Sequence, residues 1–426
     1  MESQEGPLLF INRSYWPDVE ATGQFLTELC EGLGEYYPIV VVAGRSYFLA
    51  DRFPPLRLFQ DETHRGVRIV RVRHTRFWKG SFWGRMANWV TFILLAFIAS
   101  WRLRPRLIVA CTDPPFSVFL AALLHRWKGI PFIFNCRDLY PDAALDLGKL
   151  KVGFLSRTFD RLHLRALRQA SIVIPLGRSM ADRIRIKGLA GRPMKIIPDW
   201  ADTRMIRPIA KRNNPMIHQY ALEKPFIIMY SGNLGLSQDF DTILQALSNL
   251  PPSPPWHLVL IGDGSGKKKL EEKVQALKFQ NVLFLPYQPQ EMLAYSLSMA
   301  NLHLVPLRKG MSGASVPSKV YGIMAAGRPF LAITDRISEP ARLALDLGLG
   351  LWAPAGDVGK ITQAIRWCLH HGEDLEAMGE KGRKMAEKYF DKDVAIAEWR
   401  RTLRELLLDP ASANLPHSLP LTHPIP

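Results

Sequence analysis

The sequence predicts an α/β protein of two Rossmann-like, doubly wound domains. Three observations lead to that class. The chain has 426 residues, 47% of them hydrophobic, enough for two domains that each bury a core. In both halves short apolar strands alternate with helical patterns, and many of the strands run into small or polar turn residues, as in parallel βαβ units. A polar stretch with Pro208 and Pro215, residues 203–224, reads as a linker between the halves. The expected domains are therefore 1–202 and 225–392. No short repeat period appears, which excludes a solenoid.

Leu8–Asn12 opens the first domain as a strand. It runs into Tyr15-Trp16-Pro17-Asp18 and Ala21-Thr22-Gly23, and from Gln24 the pattern turns helical, with Phe25, Leu26, Leu29 and Leu33 on one face. Gly23 has no Cβ, so its backbone can come close to a ligand. Ile39–Ala43 and Val67–Val72 are the next strands. The segment from Phe77 to Trp101 is unusual. It sets Phe77, Trp78, Phe82, Trp83, Trp89 and Trp101 around an apolar core, Trp89–Ala99, shorter than the roughly 20 residues of a spanning helix. Aromatic and basic residues at both ends of a short apolar helix suit a membrane interface over about 77–106. A buried core helix with a charged rim is the alternative.

Leu107–Cys111 ends at Thr112-Asp113-Pro114-Pro115, and Pro131–Asn135 ends at Cys136-Arg137-Asp138. Ligand groups gather at the carboxyl ends of parallel strands, so both ends are site candidates. Asp138 with Arg137 is the candidate for positioning an acceptor, or else a structural ion pair at a strand end. A helix over about 153–170 and strands Ser171–Pro175 and Met194–Pro198 complete the domain.

The second domain opens with Phe226–Ser231, then Gly232-Asn233-Leu234-Gly235 and a helix. His257–Ile261 ends in Gly262-Asp263-Gly264, where Asp263 is either a ligand-facing acid or a turn former. After further alternation, Leu302–Pro306 leads to a Ser- and Gly-rich loop, Ser312–Ser318. Pro317 is a good first-turn residue, and Gly327 with Pro329 stops the helix that follows. Backbone N–H groups, two hydroxyls and the ammonium of Lys319 would thus meet at a helix N-terminus, which is either an anion site that takes in Ser318 and Lys319 or an ordinary loop and helix start. Ser338-Glu339 opens another helix. A last helix over 393–408 precedes 409–426, which has five prolines and little to bury and reads as a disordered tail.

Charge is unevenly spread. The net charge is +16, and residues 1–200 hold 29 Lys/Arg against 17 Asp/Glu, a net +12. Between Thr63 and Thr112 there are ten basic residues and no acidic one, a field that seeks phosphates. Four scattered cysteines without metal-like spacing read as buried thiols of a reducing compartment. The opening Met1-Glu2-Ser3-Gln4-Glu5 lacks the basic start of a signal peptide.

Pro317-Ser318-Lys319-Val320-Tyr321, Ala325-Ala326-Gly327-Arg328-Pro329, Ser338-Glu339 and Pro354-Ala355-Gly356-Asp357 resemble the donor-binding end of GT-B retaining nucleotide-sugar glycosyltransferases. The resemblance is to the family-4-like bacterial enzymes of exopolysaccharide, capsule, colanic-acid and O-antigen synthesis, and it extends over nearly the whole chain. It implies the GT-B fold, with two Rossmann-like domains facing across a cleft and the C-terminal helix crossing back to the first. It also implies a UDP- or GDP-linked sugar as co-substrate, no cofactor and no metal. The acceptor would be a lipid-linked or polysaccharide one, at the cytoplasmic face of an anionic membrane. The donor would lie against Gly23, Gly232, Asn233, Asp263, Ser318, Lys319 and Glu339. Glu339 would contact ribose or sugar, unless it only stabilises its own helix as a first-turn carboxylate.

The chain departs from the family in two places. Relatives carry two glutamates eight residues apart where this chain has Ala314 and Gly322. They also place Arg and Lys where it has Asn233 and Gln238, so the diphosphate's cation must come from elsewhere, with Lys319 first and Arg308 and Lys309 behind it. Two other readings stand beside this one. A sugar-nucleotide epimerase or an inactive scaffold would share the fold. A basic nucleic-acid-binding protein would share the charge, but no nucleic-acid motif is present and the aromatics adjoin an apolar helix.

Overall fold

The computed structural model describes residues 6–18, 20–46, 57–77 and 81–408. The expected tail, 409–426, and Trp78 of the aromatic segment lie outside the described residues. The chain forms two compact units. The first holds the chain up to Ile197, apart from 146–149, and takes back the last helix from Ile396; the second holds Pro198–Ala395.

The first unit contains β1 (Leu8–Ile11), α1 (Ala21–Gly34), β2 (Ile39–Gly44), β3 (Phe59–His64), β4 (Val67–Val72), α2 (Phe82–Leu103), β5 (Leu107–Cys111), α3 (Ser117–Lys128), β6 (Phe132–Cys136), α4 (Asp142–Asp146), α5 (Phe154–Leu167), β7 (Ile172–Pro175) and α6 (Arg178–Ile184). Its sheet runs β3-β4-β2-β1-β5-β6-β7, parallel except between β3 and β4. The central strands are apolar throughout and buried on both faces, as parallel strands covered by helices must be.

β3 was not expected, because Phe59-Gln60-Asp61-Glu62-Thr63-His64 is polar. It hairpins onto β4 through Arg65 and Gly66, which both take positive φ (44° and 80°). A polar strand suits a sheet edge. It also changes the charge balance of the acid-free stretch. Asp61 pairs with Arg68, Glu62 with the buried Arg71, and Glu31 with Arg65. The predicted strand Met194–Pro198 is reduced to one bridge, Met194 to Val173. Pro175 in β7 has no N–H to offer it, so the ladder stops.

α2 is one continuous helix of 22 residues, longer than the apolar core suggested. Its stretch Trp83–Leu103 is long and apolar enough to cross a membrane, but one side of it packs on β2 and β4. Asn88, Phe92, Ala96, Ala99 and Ser100 form that buried side. Trp83 (78% exposed), Val90, Leu94 (60%), Ile98 and Trp101 form the open one.

α15 (Lys392–Leu408) packs on the first unit from Ile396 onward. A Cβ on Gly32 would lie 2.4 Å from the Ile396 side chain, so glycine admits it. Trp399 is buried, Lys195 pairs with Glu398 at 2.6 Å, and Arg400 lies over the Tyr36 ring.

The second unit contains α7 (Pro215–Gln219), β8 (Phe226–Ser231), α8 (Phe240–Ser248), β9 (Trp256–Ile261), α9 (Lys267–Ala276), β10 (Val282–Leu285), α10 (Leu293–Ser298), β11 (Leu302–Pro306), α11 (Lys319–Ala325), β12 (Phe330–Thr334), α12 (Glu339–Leu347), β13 (Gly350–Pro354), α13 (Val358–Cys368) and α14 (Gly372–Tyr389). Its sheet is wholly parallel, in the order β10-β9-β8-β11-β12-β13. The stretch 203–224, read as a linker, is packed structure. Ile206, Met216, Ile217 and Leu222 are buried in it, and Asn214 caps α7 by accepting from the Met216 N–H. A few apolar anchors outweigh its polar average.

Candidate functional site

The carboxyl end of the second sheet is built from glycines. β8 runs into Gly232 and β9 into Gly262 and Gly264, with φ of 140°, 140° and 156°. A Cβ on Gly262 would lie 2.0 Å from the Gly232 carbonyl oxygen. One on Gly264 would lie 2.5 Å from Asn233 Oδ1. The two loops therefore touch backbone to backbone. They are laced together by Gly232 N–H to Ile261 O (2.9 Å) and Leu234 N–H to Asp263 O (2.8 Å). Only glycine takes these angles without strain.

Lys319 stands over this floor. Its Nζ lies 3.7 Å from the centroid of the Tyr230 ring and close above Gly232. Tyr230 is held by its own hydroxyl, which donates to the Asn233 carbonyl at 2.6 Å. An aromatic face is a weak counter-charge. Burial pulls the Lys319 pKa from 10.5 down to about 7.

The neighbouring predicted residues divide. Asn233 sits in the floor, its amide against Gly235 and Gly264. The exposed Asp263 accepts at 2.8 Å from the N–H of Gly264, which makes it a turn former in this structure. Ser318 precedes α11 without its side chain capping the helix. α11 starts at Lys319 rather than at Pro317 and has only seven residues, too short to offer the dipole site that the sequence suggested. Glu339 is the first residue of α12, behind the cap Ser338, which accepts from the Ala341 N–H. Ala314 is buried, and Gly322 faces Leu297 and Ile206, surroundings that would not suit glutamates.

At the carboxyl end of the first sheet the groups are charged. Arg13, just after β1, makes a two-point bridge to Asp113, just after β5, at 3.1 and 3.0 Å. Asp138, Asp113 and Arg85 surround the Tyr140 phenol, whose pKa is raised by burial first and by the two carboxylates next. Arg137 stacks over Phe25 at 4.8 Å. Gly23 lies in the first turn of α1, where a Cβ would meet Ser14 Oγ at 2.7 Å. Its close approach is thus to the β1–α1 loop. Arg13, Arg85, Tyr140 and the Asp113 bridge were missed as a group, because they come from four separate segments. Asp113 had been marked only as part of a polar strand end.

Two family profiles match the chain: "Glycosyl transferase 4-like domain" over residues 21–200 and "Glycosyl transferases group 1" over 215–385. The chain is a GT-B glycosyltransferase of the family-4-like type. It is 26% identical over 316 residues to WcaI of Escherichia coli K12, named as a colanic acid biosynthesis glycosyl transferase, with 72% of this chain and 76% of that one covered. In fold it is similar to the sucrose-phosphate synthase of Thermosynechococcus elongatus (TM-score 0.76, 16% identity, 95% and 99% of the two chains). It is also similar to Anabaena HepE, solved in complex with UDP and glucose (TM-score 0.70, 14% identity, 94% and 99%). In this glycosyltransferase Lys319 reaches the glycine floor at Gly232, one residue before Asn233. Among the described residues no three His, Cys, Asp or Glu side chains gather as metal ligands. The four cysteines are all buried.

Proposed function

We propose that this glycosyltransferase is a retaining enzyme that takes a sugar from a nucleoside diphosphate donor and adds it to a lipid-linked or polysaccharide acceptor. The family places it in surface-polysaccharide synthesis. One observation carries the donor assignment: a partly desolvated ammonium poised over a floor of glycines. The glycines let the two loops close on each other beneath Lys319, whose ammonium would balance the charge of a diphosphate bound over Gly232. A diphosphate would turn the cost of burying that ammonium into a gain. As the bond to the anomeric carbon breaks, negative charge grows on the departing phosphate, and Lys319 stabilises it there. A donor phosphate oxygen takes the acceptor's proton, so no protein base is required. Asp138 and Arg137 position the acceptor. A UDP complex of a protein with this fold makes uridine nucleotides the first donors to try.

The enzyme works as a peripheral protein on the cytoplasmic face of the membrane, resting on the open side of α2. Phe92 is buried against His74 and cannot enter lipid, so the side that would meet it is that of Val90, Leu94, Ile98 and Trp101. Trp127 on α3 and Phe154 and Leu155 on α5 are exposed as well, and α3 packs against both α2 and α5. Lys128 lies over Trp101, a pairing suited to the headgroup layer.

The test is a thermal-shift screen against UDP, GDP, ADP and their sugars, followed by detection of released nucleotide with lipid-linked acceptors. One nucleotide should raise the midpoint. Lys319→Ala should weaken it about 10- to 100-fold, the value of a charge-assisted contact, with the fold unchanged. Equal nucleotide affinity in wild type and Lys319→Ala would remove Lys319 from the site.

A further inference from the structure

We infer that Tyr230 is a positioning residue for the donor's phosphates: its ring face holds the Lys319 ammonium over Gly232, and its hydroxyl fixes the turn beneath. The inference rests on the transferase reading and adds what keeps that site's cation in place. A lysine carries its charge on a flexible four-carbon stem, so burial alone does not aim it. Tyr230 is rigid by comparison. It is fully buried near the carboxyl end of β8, and its ring stands edge-on to Phe240 of α8, with centroids 4.9 Å apart and 86° between planes. Lys319 Nζ lies 3.7 Å from the centroid of that ring. The Tyr230 hydroxyl donates to the Asn233 carbonyl at 2.6 Å. A Cβ on Gly232 would lie 3.6 Å from this hydroxyl and 3.1 Å from Lys319 Nζ. Ring, turn and ammonium thus pack as one unit.

Among the described residues no carboxylate pairs with Lys319, and burial alone displaces its pKa, from 10.5 to about 7. A carboxylate in the ring's place would hold the ammonium more firmly. It would also cancel its charge, and an incoming phosphate would have to displace it. An aromatic face attracts the ammonium without any net charge of its own, so the cation stays available. The attraction acts on the protonated form only and therefore works against burial. The other groups around it are silent between pH 6 and pH 9. His303 of β11 is fully buried, and its pKa is pushed down to about 4, by burial first and with smaller contributions from Arg328 and Lys319. Burial pushes the Tyr230 and Tyr287 phenols up. Asp263, after β9, acts on Tyr287 and contributes nothing to the shift of Lys319. Lys319 is thus the group of this set that titrates in that range.

The experiment takes two readouts from the full chain. One is the pH titration of the Lys319 Cε resonance in lysine-labelled protein, assigned by its absence in Lys319→Arg. The other is the affinity for UDP at pH 6 and at pH 8. Tyr230→Phe keeps the ring and Tyr230→Leu removes it, so the difference between these two variants isolates the ring. From the first to the second, the Lys319 midpoint should fall by about one pH unit, the value of a buried cation–π contact. UDP should then bind about twofold more weakly at pH 6 and about tenfold more weakly at pH 8, as the charged fraction dictates. Damage to the loop in general would cost the same at both. In a Lys319→Ala background the two variants should bind UDP equally. Tyr230→Phe against wild type reads the hydroxyl, with a loss of about threefold that does not vary with pH. Unchanged affinity there would remove the hydroxyl's part. Equal Lys319 midpoints in the two variants, or a penalty equal at both pH values, would overturn the inference. If Tyr230→Leu does not fold, Tyr230→Phe with one, two or three ring fluorines keeps the shape and weakens the negative ring face. The Lys319 midpoint should then fall with each fluorine, and a constant midpoint would overturn the inference. A wild type that binds no nucleotide would refute the donor reading, while the Lys319 midpoint would still decide whether the ring holds the ammonium.

Discussion

The two sheets end in opposite chemistries. At the carboxyl end of the first, side chains dominate: Arg13 locked to Asp113, arginines crowding His74, and carboxylates around Tyr140. At the carboxyl end of the second, backbone dominates, with three left-handed glycines and one lysine set over an aromatic ring. Both follow the same strand–helix–strand plan. On the proposed reading the difference lets one fold serve two ligands. The glycines of the second sheet let its loops close on each other and set one lysine above them, which would suit a compact anion such as a diphosphate. A rim of charged side chains would hold a larger and more variable ligand at arm's length.

The comparison breaks most severely at Gly262. Alanine there would take a strained φ and push a methyl into the Gly232 carbonyl. Strain and overpacking together cost about 3 kcal/mol, so the second unit's melting midpoint should fall by roughly 6–12 °C and nucleotide binding should be lost with it. Gly23→Ala in the first unit meets only the movable Ser14 hydroxyl at its closest contact and should cost much less. Equal losses in the two variants, read by calorimetry, would erase the claimed difference.

Acidity gives the next largest effect. Lys319 has a pKa of about 7 in the folded, empty protein and an ordinary lysine value when unfolded. Between those values the unfolded chain binds more protons, so this residue's contribution to stability rises with pH. Lys319→Met should therefore be more stable than wild type at pH 7 without ligand, and the advantage should shrink towards pH 10. Nucleotide affinity moves the other way. It is greatest while Lys319 is charged and should fall as pH rises from 7 to 9, by up to about tenfold per unit. Lys319→Arg, which stays charged, should flatten that slope. A wild-type affinity that does not change over this range would mean that another cation holds the diphosphate.

The fold was legible because its signals are local. Apolar runs such as Leu8–Ile11 and Ile39–Gly44, each followed by a turn and a helical pattern, specify a parallel sheet whatever lies far away. Errors arose where pairing is decided at a distance. β3 looks like a loop until Arg65-Gly66 folds it onto β4. Residues 203–224 look like a linker because four buried apolar side chains are diluted among polar ones. For the site, Lys319 could be found from its motif, but its approach to Gly232, 87 positions earlier in the chain, could not. The arginines around His74 come from three strand ends and leave no spacing to detect. The sides of α2 could not be told apart in the sequence because aromatic residues lie on both, and only packing shows that Phe92 points inward.

Membrane attachment tests the first unit alone. Anionic lipid contributes about 1 kcal/mol per cation near the surface, a term that salt removes. Arg65, Arg68 and Arg71 are paired within the fold, so the salt-sensitive part should be smaller than ten cations would give. The exposed Leu94 and Ile98 should supply a part that resists salt. In co-sedimentation with anionic liposomes, Leu94→Gln/Ile98→Gln should bind at low salt and release at high salt, while wild type stays bound in part. A wild type found wholly in the supernatant at low salt would end the membrane reading.

The smallest expected effect is none, and it bears on the second unit. If a divalent ion neutralised the donor's diphosphate, the glycine floor would need carboxylates beside it. Asp263 is the acid in the Gly262–Gly264 loop, and its carboxylate accepts from the Gly264 N–H. Glu339 starts α12 one helix further on, behind its cap Ser338, and no third ligand gathers with these two among the described residues. On the proposed reading Lys319 compensates the diphosphate's charge. Turnover of the donor should be unchanged within error when excess EDTA is added, in wild type and in Asp263→Asn alike. Loss of turnover in EDTA with recovery on adding Mg²⁺ or Mn²⁺ would show that a metal ion shares this task with Lys319. In that case Asp263→Asn should weaken the recovery, because the loop acid would be a ligand rather than a turn former.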